Sequence, residues 1–350
     1  MNQFTNTNLQ ILFAAAQKLN LHPQIISFPT SALQISSKTK THLITEKSFG
    51  LNSTKSINLS RHKSNTIKKL SQHHLPVPQQ TIVNSVKEYL SVCQSAQWRI
   101  PQVIKPLTGQ KGQLVFLNIK NVAAGQKAVI QILARYPKGC LIETYHPGLD
   151  YRFLVLNYKV IGLAQRLAPA ITGNGHSTIK QLIDQENQTR HQQFLATGRR
   201  MLNRIRHWSR LEFNLNLRGL SSQAVLPQGK TIQLYPLPNF STGGSATTID
   251  PATIHSSIIK LAETAAKIIG LKICGVDMII KSSQLLPIVQ RVNTPCTSNS
   301  LQNLSGECQI IELNSDPGVR LHDWPNQGKP QHVAEKILKS IPVLTTNFRR

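Results

Sequence analysis

Strand-like and helix-like segments alternate from about residue 76 to residue 340, and this alternation constrains the fold more than any other feature of the sequence. Short apolar runs rich in β-branched residues predict strands, whereas apolar residues that recur every three or four positions predict helices. A chain of 350 residues is long enough to bury a large core in one to three domains. The sequence has no internal repeats, so the pattern predicts an α/β or α+β architecture.

The individual elements follow from the same two patterns. Six segments are predicted to be helical, namely residues 7–20, 61–75, 121–135, 178–185, 254–269 and 331–340. Strands are predicted for residues 23–28, 32–51 (one or two strands), 102–105, 114–119, 140–145, 151–156, 159–166, 273–280 and 309–314.

The charge balance is strongly basic, with 40 Lys and Arg against 15 Asp and Glu, for a net charge of +25. Charged residues make up only 16% of the chain, so the imbalance reflects a shortage of acids. Such a chain attracts polyanions, anionic metabolites or membrane surfaces, although a basic composition without any specific partner is an equal alternative. The arginines between residues 184 and 218 could neutralise nucleic-acid phosphates, but such runs are more often solvated helix faces.

Several classes of protein are excluded by missing motifs. Five cysteines are scattered without a CxxC pair or histidines at zinc-finger spacing, which predicts no zinc site and a reducing cytoplasm. No apolar run reaches 18 residues and the start lacks the features of a signal peptide, so we expect a cytoplasmic protein without membrane spans. The P-loop, dinucleotide-binding, GxSxG and HExxH motifs are also absent.

Three polar residues in apolar strands suggest a cation site. Glu312 and Asn314 lie two residues apart on a predicted strand, so their side chains share one face, and Asp277 interrupts another apolar strand. A buried carboxylate is costly unless it is paired or binds a cation. Oxygen ligands of this kind suit Mg²⁺ when phosphates complete its coordination shell. A buried acid neutralised by one of the 40 basic residues fits the spacing equally well.

Two further patterns point to a nucleotide. Lys105 ends an apolar strand before the glycine-containing loop 108–112, where backbone N–H groups can approach phosphate oxygens. The alternative is a lysine that only extends to solvent at a strand end. Glu143 and Asp150 flank a Pro-Gly turn and could hold the amine and the sugar hydroxyls of a nucleotide, although this signal is weak by itself.

Six stretches of the sequence carry a resemblance to a known family. They are VIKPLTGQKGQLV (103–115), LIETYHPGLDYRFLVLNYKVIGLAQR (141–166), GNGHSTIKQLI (173–183), NFSTGGSA (239–246), LAETAAKIIGLKICGVDM (261–278) and IIELNSDPGVRLH (310–322). In this order they resemble the ATP-grasp superfamily of carboxylate–amine ligases, most closely the ATP-grasp domain of cyanophycin synthetase and of bifunctional glutathione synthetase. The match extends from about residue 62 to residue 340.

The resemblance implies an α+β ATP-grasp fold, in which two α/β lobes clasp ATP. A short N-terminal α/β subdomain is then expected over residues 1–60 and the ATP-grasp domain over residues 61–345. Within that domain, the small lobe covers about residues 76–148 and the large lobe about residues 149–345.

The resemblance also implies roles for individual residues in binding ATP with two Mg²⁺ or Mn²⁺ ions. Residues implied to contact ATP are Lys63, Lys105, Gly109, Gly112 and Arg152 at the phosphates, Glu143, Tyr145 and His146 at the base, and Asp150 at the ribose. The implied metal ligands are Asp277, Glu312 and Asn314. The implied catalytic arginines are Arg166 and Arg320, and the residues implied to face the substrate are Ser241, Gly243, Gly244 and His322.

Several positions depart from the family pattern. Thr108 and Leu114 stand where the glycine loop usually has an aspartate and a further glycine, and Tyr235 and Pro236 stand where the family usually has two arginines. The second change alters the expected substrate recognition. No Mur-ligase half follows the matched region and no glutamate–cysteine ligase half precedes it, so we expect a stand-alone enzyme.

The leading hypothesis is therefore an ATP- and Mg²⁺-dependent ligase that joins an amino acid or short acidic peptide to an amine through an acylphosphate. The basic composition favours the acidic substrate. Two alternatives remain open, namely a nucleotide-binding regulatory protein without catalysis and a nucleic-acid-associated protein that uses the arginines of residues 190–218. The sequence also leaves homo-oligomer formation open.

Overall fold

The structure is a computed structural model that describes residues 6–26, 32–36, 41–46, 48–108, 113–206, 208–281, 304 and 306–342. Its helices are α1 (Thr7–Lys18), α2 (Thr54–Arg61), α3 (Lys63–Gln72), α4 (Val86–Gln94), α5 (Val122–Arg135), α6 (Ile179–Thr197), α7 (Trp208–Asn216), α8 (Ser256–Ile269), α9 (Arg320–Asp323) and α10 (Val333–Ser340). Its strands are β1 (Gln24–Ile26), β2 (Ala32–Ser36), β3 (Thr41–Thr45), β4 (Gln80–Val83), β5 (Gln102–Pro106), β6 (Phe116–Ile119), β7 (Cys140–Thr144), β8 (Leu149–Leu156), β9 (Lys159–Leu167), β10 (Ala170–Thr172), β11 (Thr231–Gln233), β12 (Ser245–Thr248), β13 (Ile273–Ile280) and β14 (Cys308–Asn314).

The strands form four sheets, in the orders β1-β2-β3, β4-β7-β5-β6, β10-β11 and β12-β9-β8-β13-β14. Neighbouring strands in all four are antiparallel. Antiparallel sheets with helices packed on them define the α+β class, so that prediction is confirmed. None of the helices in these described ranges is both long and apolar enough to cross a bilayer.

The four-stranded sheet, with α4 and α5 against it, forms a small unit with its own core. Ile104 on β5 and Ile142 on β7 are fully buried, and they pack with Val129 and Ile132 on α5. Both helices begin at side-chain caps, because the Ser85 hydroxyl and the Asn121 amide oxygen accept backbone N–H bonds of the first turn. The opposite face of the sheet is thereby left to line a cleft.

One face of the five-stranded sheet packs against α8 and α3. In β13, the alternate residues Cys274, Val276, Met278 and Ile280 lie in this core. Asp277 therefore points to the opposite face, as the alternation of a strand requires. The pairing of β13 with β14 skips Ile311, a β-bulge that places Glu312 directly opposite Asp277.

The N-terminal elements are packed against the large sheet. Leu9 and Leu12 on α1 share a core with Leu154 on β8, Ile273 on β13 and Ile337 on α10. The boundary near residue 60 stays a prediction, as do the limits of the two lobes.

Two basic segments of the sequence are each divided between two helices. The basic segment 61–75 is divided between α2 and α3, because His62 leaves helical geometry at φ −92° and ψ 85°. The arginine-rich segment 184–218 is divided between α6 and α7, and α6 ends at Gly198 in the left-handed region at φ 64°. The arginines of this segment therefore do not form one continuous helix face.

Asn52 connects the N-terminal region to the strands that carry the acidic residues. Its Nδ2 donates to the carbonyls of Ile273 (2.7 Å) and Ser315 (3.2 Å), and its Oδ1 accepts from the Ile273 N–H at 3.0 Å. Asn52 thus fixes the start of β13 and the residue that follows β14.

We expect Asn52→Ala to lower the free energy of unfolding by about 1–3 kcal/mol, because the backbone groups of Ile273 and Ser315 lose their partner. The matched control is Asn216→Ala at the exposed end of α7, which should change stability by no more than about 0.5 kcal/mol. Urea unfolding of both variants provides the measurement, and equal midpoints would contradict the role of Asn52.

Candidate functional site

A cleft of about 1040 Å³ is lined by residues of both the four-stranded and the five-stranded sheet. The first turn of α1 and the region of α9 complete its walls. Most of the residues that the sequence analysis selected line this cleft, and they are Lys63, Lys105, Glu143, Tyr145, His146, Asp150, Arg152, Arg166, Asp277, Glu312, Asn314 and Arg320. Gly109 and Gly112 lie outside the described residues.

On the small-sheet side, Lys105 and Glu143 form an ion pair across β5 and β7. Lys105 Nζ lies 2.6 Å from Glu143 Oε2, and the two side chains are only 14% and 4% exposed. Gln80 on β4 also donates to the Glu143 carboxylate through its Nε2. The resemblance implies separate partners for these two residues, the phosphates and the adenine amine. In the structure they satisfy each other, and the implied roles stay predictions.

The segment after β7 connects the two sheets and also lines the cleft. The Tyr145 backbone N–H donates to the Pro101 carbonyl at 3.0 Å, which fixes the course of the chain. His146 Nε2 is buried, and no described residue hydrogen-bonds to it. Burial lowers the pKa of His146 below its ordinary value, so the ring is neutral near pH 7.

On the large-sheet side, Asp277 is surrounded by nitrogen donors. Arg152 donates through Nε to Oδ1 and through Nη2 to Oδ2, both at 2.6 Å. Arg166 Nη2 lies 3.0 Å from Oδ2, and Asn314 Nδ2 donates to the same oxygen at 3.2 Å. Gly275 leaves room for this arrangement, because a Cβ there would lie 3.1 Å from Arg152 Cδ.

The same network extends to Asp150. Arg166 donates through Nε and Nη2 to the two oxygens of Asp150, at 2.6 and 3.0 Å. Burial raises the pKa of Asp150, and the Arg166 guanidinium opposes this rise. Burial also acts to raise the pKa of Asp277, but the guanidiniums of Arg152 and Arg166 outweigh it and hold that pKa below its ordinary value. Asp277 is therefore ionised at neutral pH.

The oxygen donors of this face suit Mg²⁺. Asp277 and Glu312 face each other across β13 and β14, and Asn314 donates through its nitrogen to Asp277, which leaves its amide oxygen to act as a ligand. In the part of the chain that the structure describes, no group of three or more His, Cys, Asp or Glu could enclose a metal ion. This open donor set fits a metal whose remaining ligands are phosphates and waters. To bind such a metal, Asp277 would have to exchange one of its contacts with Arg152 or Arg166 for a contact with the ion.

At another end of the cleft, Arg320 is only partly enclosed. Its Nη1 donates to Asn203 Oδ1 at 3.1 Å, and its guanidinium carbon lies 4.8 Å from the centroid of the Phe240 ring. No described carboxylate forms a salt bridge with Arg320. Burial, together with the nearby Arg200, lowers the pKa of Arg320 to about 10. A guanidinium in this setting gains most from an anionic ligand.

Four predicted substrate residues do not line the cleft. His322 is fully buried behind it, where Nδ1 donates to Gln331 Oε1 at 2.9 Å. Residues two apart on a helix point about 200° apart, so α9 cannot present both Arg320 and His322 to the cleft. His322 therefore does not line the cleft, and its implied contact with a substrate stays a prediction without support from the geometry.

The glycine turn is also placed differently from the expectation. Asn239 and Phe240 line the cleft, whereas Ser241, Gly243 and Gly244 do not. The Gly243 carbonyl accepts a hydrogen bond from Arg190 Nη1 at 2.8 Å, and this bond fixes the turn to α6. Direct contact of these three residues with a substrate is thus not supported.

Other cleft residues escaped the sequence analysis, and they are Asn8, Arg200, Asn203 and Phe240. Arg200 belongs to the basic run and Phe240 to a matching stretch, so weak signals existed for both. Asn8 and Asn203 carry no local signal, because only the tertiary fold brings them to the cleft.

The comparison with family models gives a direct match. Residues 60–189 match the RimK-like ATP-grasp domain. The chain therefore contains a RimK-like ATP-grasp domain. The resemblance seen in the sequence is thereby confirmed.

Two groups of curated relatives cover most of the chain. The cyanophycin synthetase of Synechocystis sp. (strain ATCC 27184 / PCC 6803 / Kazusa) is 32% identical over 291 residues, which make up 81% of this chain and 30% of that protein. The glutathione biosynthesis bifunctional protein GshAB of Streptococcus mutans is 30% identical over 298 residues, or 81% of this chain and 35% of that protein. This ATP-grasp chain spans about a third of the length of these relatives.

Among solved structures, a bifunctional glutathione synthetase from Pasteurella multocida matches 97% of this chain and 44% of its own, with a TM-score of 0.62 and 24% identity. This likeness supports the fold, and the ATP-grasp prediction is confirmed.

The Arg152–Asp277–Arg166 network allows a stability prediction for this ATP-grasp site. Asp277→Asn leaves two largely buried guanidiniums without their shared carboxylate, so we expect the free energy of unfolding to fall by about 3–5 kcal/mol. Glu312→Gln is the comparison, since Glu312 is 29% exposed and among the described residues it pairs only with Lys63, at 3.3 Å, so its loss should cost no more than about 1 kcal/mol. Urea unfolding at pH 7 measures both variants. Similar losses of unfolding free energy would show that Asp277 stabilises the fold no more than Glu312 does.

His322 gives a pH prediction. Its burial lowers the pKa from 6.5 to about 3, so the unfolded chain binds a proton in a range where the folded chain does not. Stability is therefore complete above pH 6.5 and declines as the pH falls toward 3, by about 2 kcal/mol between pH 7 and pH 5 from this residue. His322→Gln should show a shallower loss over that interval, whereas His191→Gln, at an exposed position, should keep the wild-type slope. Identical slopes for all three proteins, measured by urea unfolding, would overturn this assignment.

Proposed function

We propose that this protein is an ATP- and Mg²⁺-dependent ligase that joins a carboxylate to an amine. The observation that carries the proposal is a single cleft that contains a lysine suited to phosphates, an oxygen-donor group suited to Mg²⁺, and the partly enclosed Arg320. The family match and the relatives named for cyanophycin and glutathione synthesis support the same reaction class.

In the proposed reaction, an oxygen of the substrate carboxylate attacks the γ-phosphorus of ATP. The bond from that phosphorus to the ADP oxygen breaks, which gives an acylphosphate and ADP. The amine then attacks the acyl carbon and loses a proton, and inorganic phosphate leaves as the amide forms. The protein contributes mainly position and charge neutralisation, since the transferring phosphoryl group spreads negative charge over its oxygens.

Different side chains of the cleft are proposed to contact different parts of ATP. Lys105 and Lys63 are proposed to contact phosphates, with Glu143, Tyr145 and His146 at the base and Asp150 at the ribose. Lys105 and Glu143 are paired with each other in the structure, so ATP would exchange their mutual contact for two separate ones. The cost of opening this pair is offset only if both partners find new charge or hydrogen-bond partners.

The proposed metal ligands are Asp277, Glu312 and Asn314. When bound there, Mg²⁺ would neutralise phosphate charge. Arg152 and Arg166 hold Asp277 ionised and in place, and either guanidinium can turn toward phosphate oxygens when a metal takes its position. This pair of arginines keeps the local charge balanced both with and without the ligand.

We further propose that the substrate is acidic, as an amino acid or a short peptide. Arg320 and Arg200 both line the cleft, and neither forms a salt bridge with a described carboxylate. The chain as a whole carries a net charge of +25, which favours the approach of anions. A substrate carboxylate beside Arg320 would gain a planar, two-pronged partner.

The decisive experiment measures the release of ADP and phosphate from Mg²⁺-ATP with pools of amino acids and short acidic peptides. We expect release that depends on an acidic pool and falls on the order of 100-fold in Glu312→Gln, because the proposed site then loses a charged oxygen ligand. Glu263→Gln is the matched control, since Glu263 lies on α8 outside the cleft and pairs with Lys159 at 3.2 Å.

Three results would count against the proposal in different ways. Tight nucleotide binding without release from any pool would favour the non-catalytic, regulatory role. Equal release by wild type and Glu312→Gln would remove the metal assignment. Neither binding nor release would show that this cleft is not the ATP site.

A further inference from the structure

The helix that carries Arg320 lacks a cap of its own. α9 begins after Val319, and no side chain in its own segment accepts the N–H groups of its first turn. These groups need an acceptor, because the start of a helix leaves its N–H groups without intrahelical partners. Asn8, on α1, supplies it from more than 300 positions away, since its Oδ1 accepts from Val319 N at 3.1 Å and from Arg320 N at 3.2 Å.

Asn8 is itself firmly held. It lies in the first turn of α1, and the Asn6 side chain accepts its N–H at 2.8 Å. Behind this turn, Leu9 and Leu12 are buried in the shared core, and Lys18 at the other end of α1 forms a 2.6 Å ion pair with Glu335 on α10. A side chain on so well fixed a helix turn can set the position of what it binds.

The guanidinium of Arg320 depends on that backbone anchor. Its polar contacts are Asn203 Oδ1 at 3.1 Å and the Arg200 carbonyl at 3.5 Å, and the second is at the limit of a hydrogen bond. No described carboxylate fixes it by an ion pair. The position of the side chain therefore depends on where the start of α9 lies, and the Asn203 hydrogen bond and the Phe240 ring contact then hold the guanidinium.

We propose that Asn8 is a positioning residue that caps α9 from the N-terminal helix and so aims Arg320 into the cleft. Asn6, Thr7 and Asn8 also line the cleft, which makes the first turn of α1 one wall of the end where Arg320 lies. That a substrate binds at the Arg320 end of the cleft rests on the proposed ligase function. The coupling of Asn8 to Arg320 does not depend on that function.

The test uses the full chain with two variants that lose the cap and one that keeps it. Asn8→Ala removes the acceptor, and Asn8→Gln keeps an amide but displaces its oxygen by one methylene group. Asn8→Asp retains the acceptor oxygen and serves as the rescue. Asn121→Ala is the matched control, because Asn121 caps α5 by accepting the Ala124 N–H at 2.8 Å, outside the cleft.

The first readout is the rate at which phenylglyoxal modifies Arg320, followed by peptide mass spectrometry and referred to the exposed Arg99 in the same sample. We expect the relative rate to rise roughly fivefold in Asn8→Ala and Asn8→Gln, the factor that corresponds to loss of one N-cap. Asn8→Asp and Asn121→Ala should stay close to wild type. Unchanged Arg320 reactivity in both loss variants would overturn the proposal, whatever the protein catalyses.

The second readout is kinetic and uses the acidic substrate that the release assay identifies. Asn8→Ala should raise the KM for that substrate roughly fivefold and leave the KM for ATP unchanged, whereas a general loss of structure would raise both. Equal changes in the two KM values would contradict a positioning role. If Arg320 reactivity changes as expected but wild type releases no ADP, the positioning role stands and the ligase function fails.

Discussion

The buried carboxylate of Asp277 is the group on which the rest of the site depends. Two arginines from neighbouring strands converge on it, and a third strand adds Asn314. An ionised acid in the middle of a sheet is tolerable only because these donors replace the water that it lost. The same contacts fix the directions in which Arg152 and Arg166 point, and so the ion-pair network that stabilises the sheet also preorganises the charged face of the cleft.

The second charged face of the cleft is arranged in a similar way. Lys105 and Glu143 hold each other on the small sheet, so both faces keep their charges paired within the protein. A ligand with phosphates and a metal would therefore exchange internal ion pairs for new ones, with little change in the total buried charge. Arg320 differs, because its guanidinium has hydrogen-bonding and aromatic neighbours but no described acid, which leaves this end of the cleft with an excess of positive charge.

The local sequence was a good guide wherever alternation decides the outcome. Strand periodicity placed Glu312 and Asn314 on one face and singled out Asp277 in a second apolar strand, and in the structure all three line the cleft. His322, which only the resemblance implied at the substrate, is buried away from the cleft, because residues two apart on a helix point in different directions. The sequence analysis also missed the pairing of Lys105 with Glu143, since the register between β5 and β7 is set by packing of the small core and leaves no trace in either segment.

The sequence by itself determined the class of fold, the family and the chemical types of residue at the site, because these depend on periodicity and on motifs within short segments. Only the tertiary structure decided which charges neutralise each other and which residues reach the cleft. Asn8 shows the reason most clearly, since it meets Arg320 across 312 positions of sequence. Contacts of that kind arise from the packing of α1 on the large sheet and α10, and no local pattern encodes them.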